Sequence, residues 1–186
     1  MPRTPRRITA LLLAGATLAT LAACAPAEPE PTAAPTSPSE TADAPVFASD
    51  EEALAAAVAA YEAYLVASDA ITADGGEGVD RIDGVTSAEF AKMSKTDFAA
   101  FRHAGLRTEG ATAIDSPRLI EVADNAQAVS FYACQDVSSV RVLNSAQEDV
   151  TPSDRDPRLP LVIEAVAEGP QLVIDGNQVW SGDDFC

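Results

Sequence analysis

The segment from Ala25 to Pro45 limits the part of the chain that can fold. It holds six of the 13 prolines among Ala, Thr, Ser and acidic residues, and its only aliphatic side chains are those of alanine and proline. Such a segment buries too little apolar surface to offset the conformational entropy lost on folding. We therefore expect residues 24–46 to form an extended linker of about 3 Å per residue, and we assign folding to residues 47–186.

An uncharged run from Ile8 to Ala23 precedes the linker. As a helix its 16 residues would reach about 24 Å, which is short for a hydrocarbon core of about 30 Å. Three arginines lie before the run, and small residues close it. A positive flank, an apolar middle and a small-residue end are typical of a secretory signal peptide. We predict that residues 1–23 are this signal.

The tetrapeptide Leu21-Ala22-Ala23-Cys24 closely resembles the lipobox of bacterial lipoproteins. The resemblance covers the first 24 residues. It implies that Cys24 receives a diacylglyceryl thioether, that cleavage occurs just before it, and that its new amino group can be acylated. Two long chains hold a protein firmly where one is marginal, since each buried methylene contributes about 0.8 kcal/mol. We predict a palmitate-type anchor on the extracytoplasmic face of the cell membrane; the alternative is a secretory cysteine without lipid.

If Cys24 carries lipid, Cys134 and Cys186 are the cysteines that remain. Export places them in an oxidising compartment, where a pair is favoured. A bridge closing a loop of about 50 residues would stabilise the domain by roughly 4 kcal/mol. A catalytic thiol or a metal site is less favoured, because the single histidine leaves no zinc-like spacing and no base accompanies either thiol. We predict a disulfide and no metal site.

The charge of the chain is strongly acidic. There are 12 basic and 29 acidic residues, a net charge of −17, and loss of the signal-peptide arginines makes the mature chain more negative. Nucleic acid and anionic lipid surfaces bind through Lys and Arg, so we exclude nucleic acid as a partner. Solubility outside a cell explains this charge well. Recognition of a cationic ligand is the alternative.

Two capping boxes, Ser49 with Glu52 and Thr86 with Glu89, predict the starts of two helices. Alanine, which has the highest helix propensity, is frequent after the first box, and larger apolar residues recur there on one helical face. We expect the first helix to run from Asp50 to Thr72.

We predict that the second helix directs Phe90 and Met93 toward the core. Phe98 falls out of phase with Phe90, which predicts a break at residues 94–96 and a short third helix ending at Gly105.

The acidic segment from Asp74 to Asp83 invites comparison with a calcium-binding loop. An EF-hand needs carboxylates at its first, third and fifth positions, glycine at the sixth and glutamate at the twelfth. No register of this segment satisfies that pattern. A solvated turn is the favoured interpretation, and a looser oxygen site for a cation is the alternative.

From Leu119 onward the apolar period changes to two. This alternation predicts a strand on either side of a turn at Asp124-Asn125. Residues 144–158 are a polar loop, and two further strands flank Glu168-Gly169-Pro170, with Asp175-Gly176 as a second turn or a bulge. Helices followed by such a meander predict an α+β fold, with N-terminal helices packed on a curved antiparallel sheet.

This order of elements resembles that of NTF2-like, or SnoaL-like, domains, and among them secreted actinobacterial lipoproteins. The resemblance covers Asp50 to Cys186 and rests also on Cys134-Gln135-Asp136 in a mid-sheet strand and on Trp180 near a terminal cysteine. It implies a cone, in which the sheet wraps over the helices around an internal pocket. It does not imply one activity, because a fold hosts many functions.

Enzymes of this architecture place an acid–base pair inside the cone. The sole histidine, His103, falls at the end of a predicted helix, where a surface role is favoured. Asp136 suits a turn after a strand at least as well as a position at the cone mouth. We therefore assign no catalytic residue and no cofactor. The candidate pocket residues are Tyr61, Tyr64, Phe98 and Tyr132.

Together these features predict a membrane-anchored extracytoplasmic lipoprotein that is noncatalytic and binds a small apolar ligand or an envelope protein. An isomerase- or hydrolase-type enzyme of the same fold and a purely structural stalked domain are the alternatives. A buried carboxylate bonded to Tyr or His would favour catalysis, and an interior without one would favour binding.

Overall fold

The computed structural model describes residues 47–186, so the predicted signal peptide, the lipidation of Cys24 and most of the linker lie outside the described residues. Within these residues, two α-helices come first and six β-strands follow. Short 3-10 turns lie at Val79–Ile82 and Asp124–Ala126. The elements are α1 Asp50–Ala73, α2 Ala88–His103, β1 Arg107–Glu109, β2 Ala113–Val122, β3 Ala128–Asp136, β4 Arg141–Leu143, β5 Arg158–Glu168 and β6 Gln171–Val179.

Four strands form an antiparallel sheet in the order β2-β3-β5-β6, and β1 pairs with β4 as a separate two-stranded sheet. Helix α1 packs across one face of the larger sheet. Because strand side chains alternate between faces, every second residue of β3 and β5 points toward α1. The predicted α+β class is confirmed. The buried residues of this interface include Ala53, Ala57, Tyr61 and Leu65 of α1 and Val129, Phe131, Ala133, Leu161, Ile163 and Ala165 of the sheet.

Helix α1 begins as its capping box predicts. The Ser49 hydroxyl accepts a hydrogen bond from the Glu52 amide at 3.3 Å. The Glu52 carboxylate accepts one from the Ala48 amide at 2.8 Å. Among the described residues, α1 is the one helix whose length and mean hydropathy of 1.4 would permit a membrane span. The side of α1 that carries Tyr61 packs against the sheet, as expected for the core helix of a folded domain.

The predicted start of α2 at Thr86 is wrong by one residue. Ser87 is the cap, and its hydroxyl accepts a hydrogen bond from the Phe90 amide at 3.2 Å. Thr86 is buried, donates its hydroxyl to the Ile82 carbonyl at 2.9 Å and forms a β-bridge with Ile174 of β6. Since Thr86 is held by the sheet, the adjacent serine is left to begin the helix.

The predicted break at residues 94–96 is also wrong, and α2 continues to His103. The buried residues are Phe90, Ala91, Ser94 and Phe98. At about 100° per residue they span one face roughly 100° wide, so Phe98 is in phase with Phe90 once the small residues between them are counted. Met93, predicted to face the core, lies outside this face and is 52% exposed.

The strand predictions agree with the structure for most of the meander. Residues 124–126 turn between β2 and β3, with Asn125 in the left-handed region at φ 63°, and the chain turns again between β5 and β6 at Gly169-Pro170. Asp175 is a bulge and not a turn, since Glu164 faces Gly176 while Ala165 faces Ile174. Strand β2 begins at Ala113, six residues before the predicted alternation, and the short strands β1 and β4 were not predicted.

The carboxylates of the acidic segment pair with basic side chains. Asp74 pairs with Arg81, and Glu77 pairs with Arg102 at 2.8 Å. Lys95 lies 2.8 Å from Asp83 and also pairs with Asp80. No group of three or more His, Cys, Asp or Glu side chains is arranged for a metal ion within residues 47–186. Exposed ion pairs of this kind contribute little to stability, and they support a solvated turn.

Candidate functional site

Tyr61 lies at the centre of the interface between α1 and the sheet. Its side chain has no exposed surface. Its hydroxyl donates to the Gln135 side-chain oxygen at 3.0 Å and accepts from the Asn177 amide nitrogen at 2.9 Å. Burial raises the pKa of Tyr61, and the hydrogen bond from Asn177 opposes that shift in part. The hydroxyl is therefore a neutral bridge between α1, β3 and β6.

The structure brings Tyr61 and Tyr64 together and places Phe98 next to them. The two tyrosine rings stack with centroids 5.5 Å apart, and Tyr64 lies 5.6 Å from the ring of Phe90. Burial also raises the pKa of Tyr64. Phe98 belongs to an adjoining cluster, where Tyr64 also packs. These aromatic side chains occupy the space between the helices and the sheet.

The two titratable candidates lie outside this interior. His103 is the last residue of α2 and is exposed. Asp136 ends β3, and its carboxylate accepts a hydrogen bond from the Ser138 amide at 2.8 Å. The pKa of Asp136 is lowered first by the bonds to Ser138 and then by the charge of Arg158, which lies 3.5 Å away. An ionised turn residue with a basic partner suits a structural role.

Tyr132 lies on the opposite face of the sheet, which we call the outer face. The C-terminal residues 180–186, here named the strap, contact that face. The Tyr132 ring lies 5.2 Å from Trp180 and 5.4 Å from Phe185, both edge-on. The Arg118 guanidinium lies 4.8 Å from the centre of the Phe185 ring, a distance at which cation–π attraction operates.

A disulfide between Cys134 and Cys186 fixes the end of the strap to the interior strand β3, with the two Cα atoms 5.5 Å apart. Cys134 is fully buried. At the other end of the strap, the Trp180 amide donates to the Pro160 carbonyl of β5 at 2.7 Å. The strap is thus held at both ends, and Phe185 is held against Tyr132.

A small apolar cleft on the outer face, here called the outer groove, lies beside the strap. Its volume is about 260 Å³. Ile120 and Val179 are 41% and 58% exposed, which is high for apolar residues that neighbour one another. The groove is lined by Ile120, Tyr132, Val162, Gln178, Val179, Trp180 and Ser181.

The predicted pocket residues therefore divide between two faces of the sheet. Tyr61, Tyr64 and Phe98 lie on the helix side, and Tyr132 lies in the outer groove. The alternation that places Phe131 toward the helices already implies that Tyr132 points away from them. The contribution of Trp180 and Phe185 to the same site was missed, since the route of the strap has no periodic signal.

Comparisons with known proteins give little beyond the fold. No family model matches the chain, and no curated protein matches it. The crystal structure of the intermembrane space region of the chloroplast protein ARC6 is similar in fold, with a TM-score of 0.51 and 10% sequence identity over 69% of this chain and 97% of that chain. At that identity the likeness concerns the fold alone, and the class is α+β.

Proposed function

We propose that the protein is a lipid-anchored lipoprotein of the extracytoplasmic face whose domain binds an envelope protein without catalysing a reaction. The anchor rests on Leu21-Ala22-Ala23-Cys24 and on the signal-like run before it. The Cys134–Cys186 bridge supports export, because disulfides persist in oxidising compartments. The linker would hold the domain away from the membrane surface.

We also propose that the domain is NTF2-like. Two helices precede a four-stranded meander and pack on one of its faces. The segment Cys134-Gln135-Asp136 ends a strand that lies between two others, and Trp180 lies beside the terminal strap. The separate β1–β4 sheet and the side chains that fill the helix side distinguish this chain from an open cone.

The buried polar groups carry the noncatalytic part of the proposal. Within residues 47–186 the buried polar side chains, apart from Tyr61, are the hydroxyls of Thr86, Ser87 and Ser94. Tyr61, which would be the natural general acid, bonds to two amides and to no carboxylate. Proton transfer needs a partner whose pKa is tuned near the working pH. Amides do not provide one.

The outer groove supports binding to a protein more than to a free small molecule. A pocket for a drug-sized ligand usually measures about 300–1,000 Å³ and encloses most of its occupant. The outer groove is smaller, at about 260 Å³. It suits one apolar side chain of a partner, flanked by aromatic rings of the kind enriched at protein interfaces.

Site-specific photocrosslinking in the native envelope tests this proposal. A photoreactive residue is placed at Val179 in the outer groove, and a matched one at Val66, which is 72% exposed on α1. We expect a discrete protein adduct from position 179 and none from position 66. Equal labelling at the two positions, or none at position 179, would contradict binding through the outer groove.

A further inference from the structure

We infer that the outer groove receives a basic segment of the partner, with an apolar side chain seated in the groove and Lys or Arg side chains on two neighbouring carboxylates. This inference rests on the proposed function and adds the chemistry of the partner. The two carboxylates belong to Glu121 of β2 and Glu164 of β5.

Strand register places these carboxylates beside the groove. Ser130 of β3 faces Glu121 on one side and Glu164 on the other. Ser130 and Tyr132 are two residues apart, so they point to the same face. Adjacent strands lie about 4.8 Å apart, which puts the two glutamates roughly 10 Å from each other. They therefore form an acidic row next to the row that carries Tyr132.

Both glutamates are open to a basic partner. They are exposed, and no ion pair joins either one to another residue of the described region. Gly176, opposite Glu164, leaves the space beside that carboxylate free of a side chain. Arg118, which faces Tyr132 in the register of β2 and β3, lies over the ring of Phe185.

Charge complementarity selects a basic occupant over the other candidates. The net charge of −17 attracts cationic segments and repels a second copy of this chain. Residues 24–46 contain no Lys or Arg and four acidic side chains, so the linker is also repelled. A basic segment with an apolar side chain could fill the groove and pair with both glutamates at once.

Fluorescence of Trp180 provides a direct readout, because it is the sole tryptophan and lines the groove. The protein is the chain from residue 24 onward with Cys24→Ser, which removes the lipid alone. The probe is the capped peptide Lys-Leu-Lys-Phe-Lys-Leu-Lys, and its matched control has Gln in place of every Lys. We expect saturable binding of the lysine peptide, and weaker binding of the glutamine peptide.

Two double variants with the same change of charge separate the groove from general attraction. Glu121→Gln/Glu164→Gln should weaken binding of the lysine peptide about five-fold, as loss of two rim charge pairs implies. Glu62→Gln/Asp97→Asn removes two exposed charges from the helices. It should change binding by less than about two-fold, because distant exposed charges are screened.

Equal weakening in the two double variants would overturn the inference, as would failure of the lysine peptide to bind. If either occurs while crosslinking at position 179 persists, the proposed function stands and the basic partner is wrong. If crosslinking is also lost, the proposed function fails as well. Sedimentation that shows a dimer abolished by Val179→Asp would assign the groove to a second copy and would also overturn the inference.

Discussion

Removal of the Cys134–Cys186 disulfide should cost the domain much of its stability. The two cysteines are 52 residues apart in sequence. Closing a loop of that length removes conformational entropy from the unfolded chain worth about 4 kcal/mol at 25 °C. Domains of this size are usually stable by about 5–15 kcal/mol. The double variant Cys134→Ala/Cys186→Ala should therefore unfold far more easily.

The loop closed by the bridge contains β4, β5 and β6, so it includes both strands on one side of β3. Freeing the strap also weakens the contact of Phe185 with Tyr132. An aromatic pair of that kind contributes about 0.5–1.5 kcal/mol beyond its buried area. The loop-closure effect is the larger of the two. Most of the lost stability should therefore come from opening the loop and not from the weaker contact of Phe185.

Urea unfolding followed by far-UV circular dichroism measures the loss. Wild-type protein reduced with a dithiol is the matched control, because it opens the same loop without changing side-chain volume. Both proteins should unfold at lower urea than the oxidised wild type, with a free energy of unfolding about 4 kcal/mol smaller. A loss below about 1 kcal/mol in both would refute the assignment of this stability to loop closure.

Three further outcomes are expected. Folding raises the pKa of Tyr61, so at high pH the folded protein keeps a proton that the unfolded chain loses. The free energy of unfolding should therefore fall above about pH 10 by about 1.4 kcal/mol per pH unit. Urea unfolding at about pH 9 and about pH 11 should show a smaller fall in Tyr61→Phe than in the wild type. Gly110 and Gly84 both have positive φ, but only at Gly110 would an added methyl group overlap the Ser139 carbonyl. Thermal unfolding should therefore show that Gly110→Ala destabilises the domain by about 3 kcal/mol and Gly84→Ala by about 1 kcal/mol. Labelled palmitate should be incorporated by the wild type and not by Cys24→Ser, and equal incorporation would exclude lipid at that residue.

Local signals in the sequence account for the elements whose cause is local. The Ser49 cap is a hydrogen bond within one turn, and it predicts the first residue of α1. Asn125 tolerates the left-handed conformation that the turn after β2 requires. The alternation of β3 follows from one face being buried and the other partly covered.

Elements that depend on distant contacts were not predictable in the same way. Strands β1 and β4 have three residues each, too few to show a period. Strand β2 passes through Pro117 and has positive φ at Ser116, which interrupts its pairing with β3. In α2 the aromatic residues alone indicate the wrong phase, because Ala91 and Ser94 complete the buried face.

The candidate site shows the same division. The cysteine count predicts which sulfur atoms can join, and alternation predicts that Tyr132 faces away from the helices. Neither predicts that Phe185 would lie on Tyr132, because that contact depends on closing a 52-residue loop. Burial of Tyr61 could be predicted from its helical face, whereas its two amide partners come from strands 74 and 116 residues away.

The packing of Tyr61 also supports the proposal that a partner binds at the outer face. A ligand on the helix side would have to displace a buried tyrosine and leave the Gln135 and Asn177 amides without their bonds. An unsatisfied buried polar group costs about 1–3 kcal/mol, and the lost packing of an aromatic ring adds about 3–5 kcal/mol. Exposed Ile120 and Val179 can be covered without breaking any bond within the domain. The free energy of association therefore favours the groove beside Trp180.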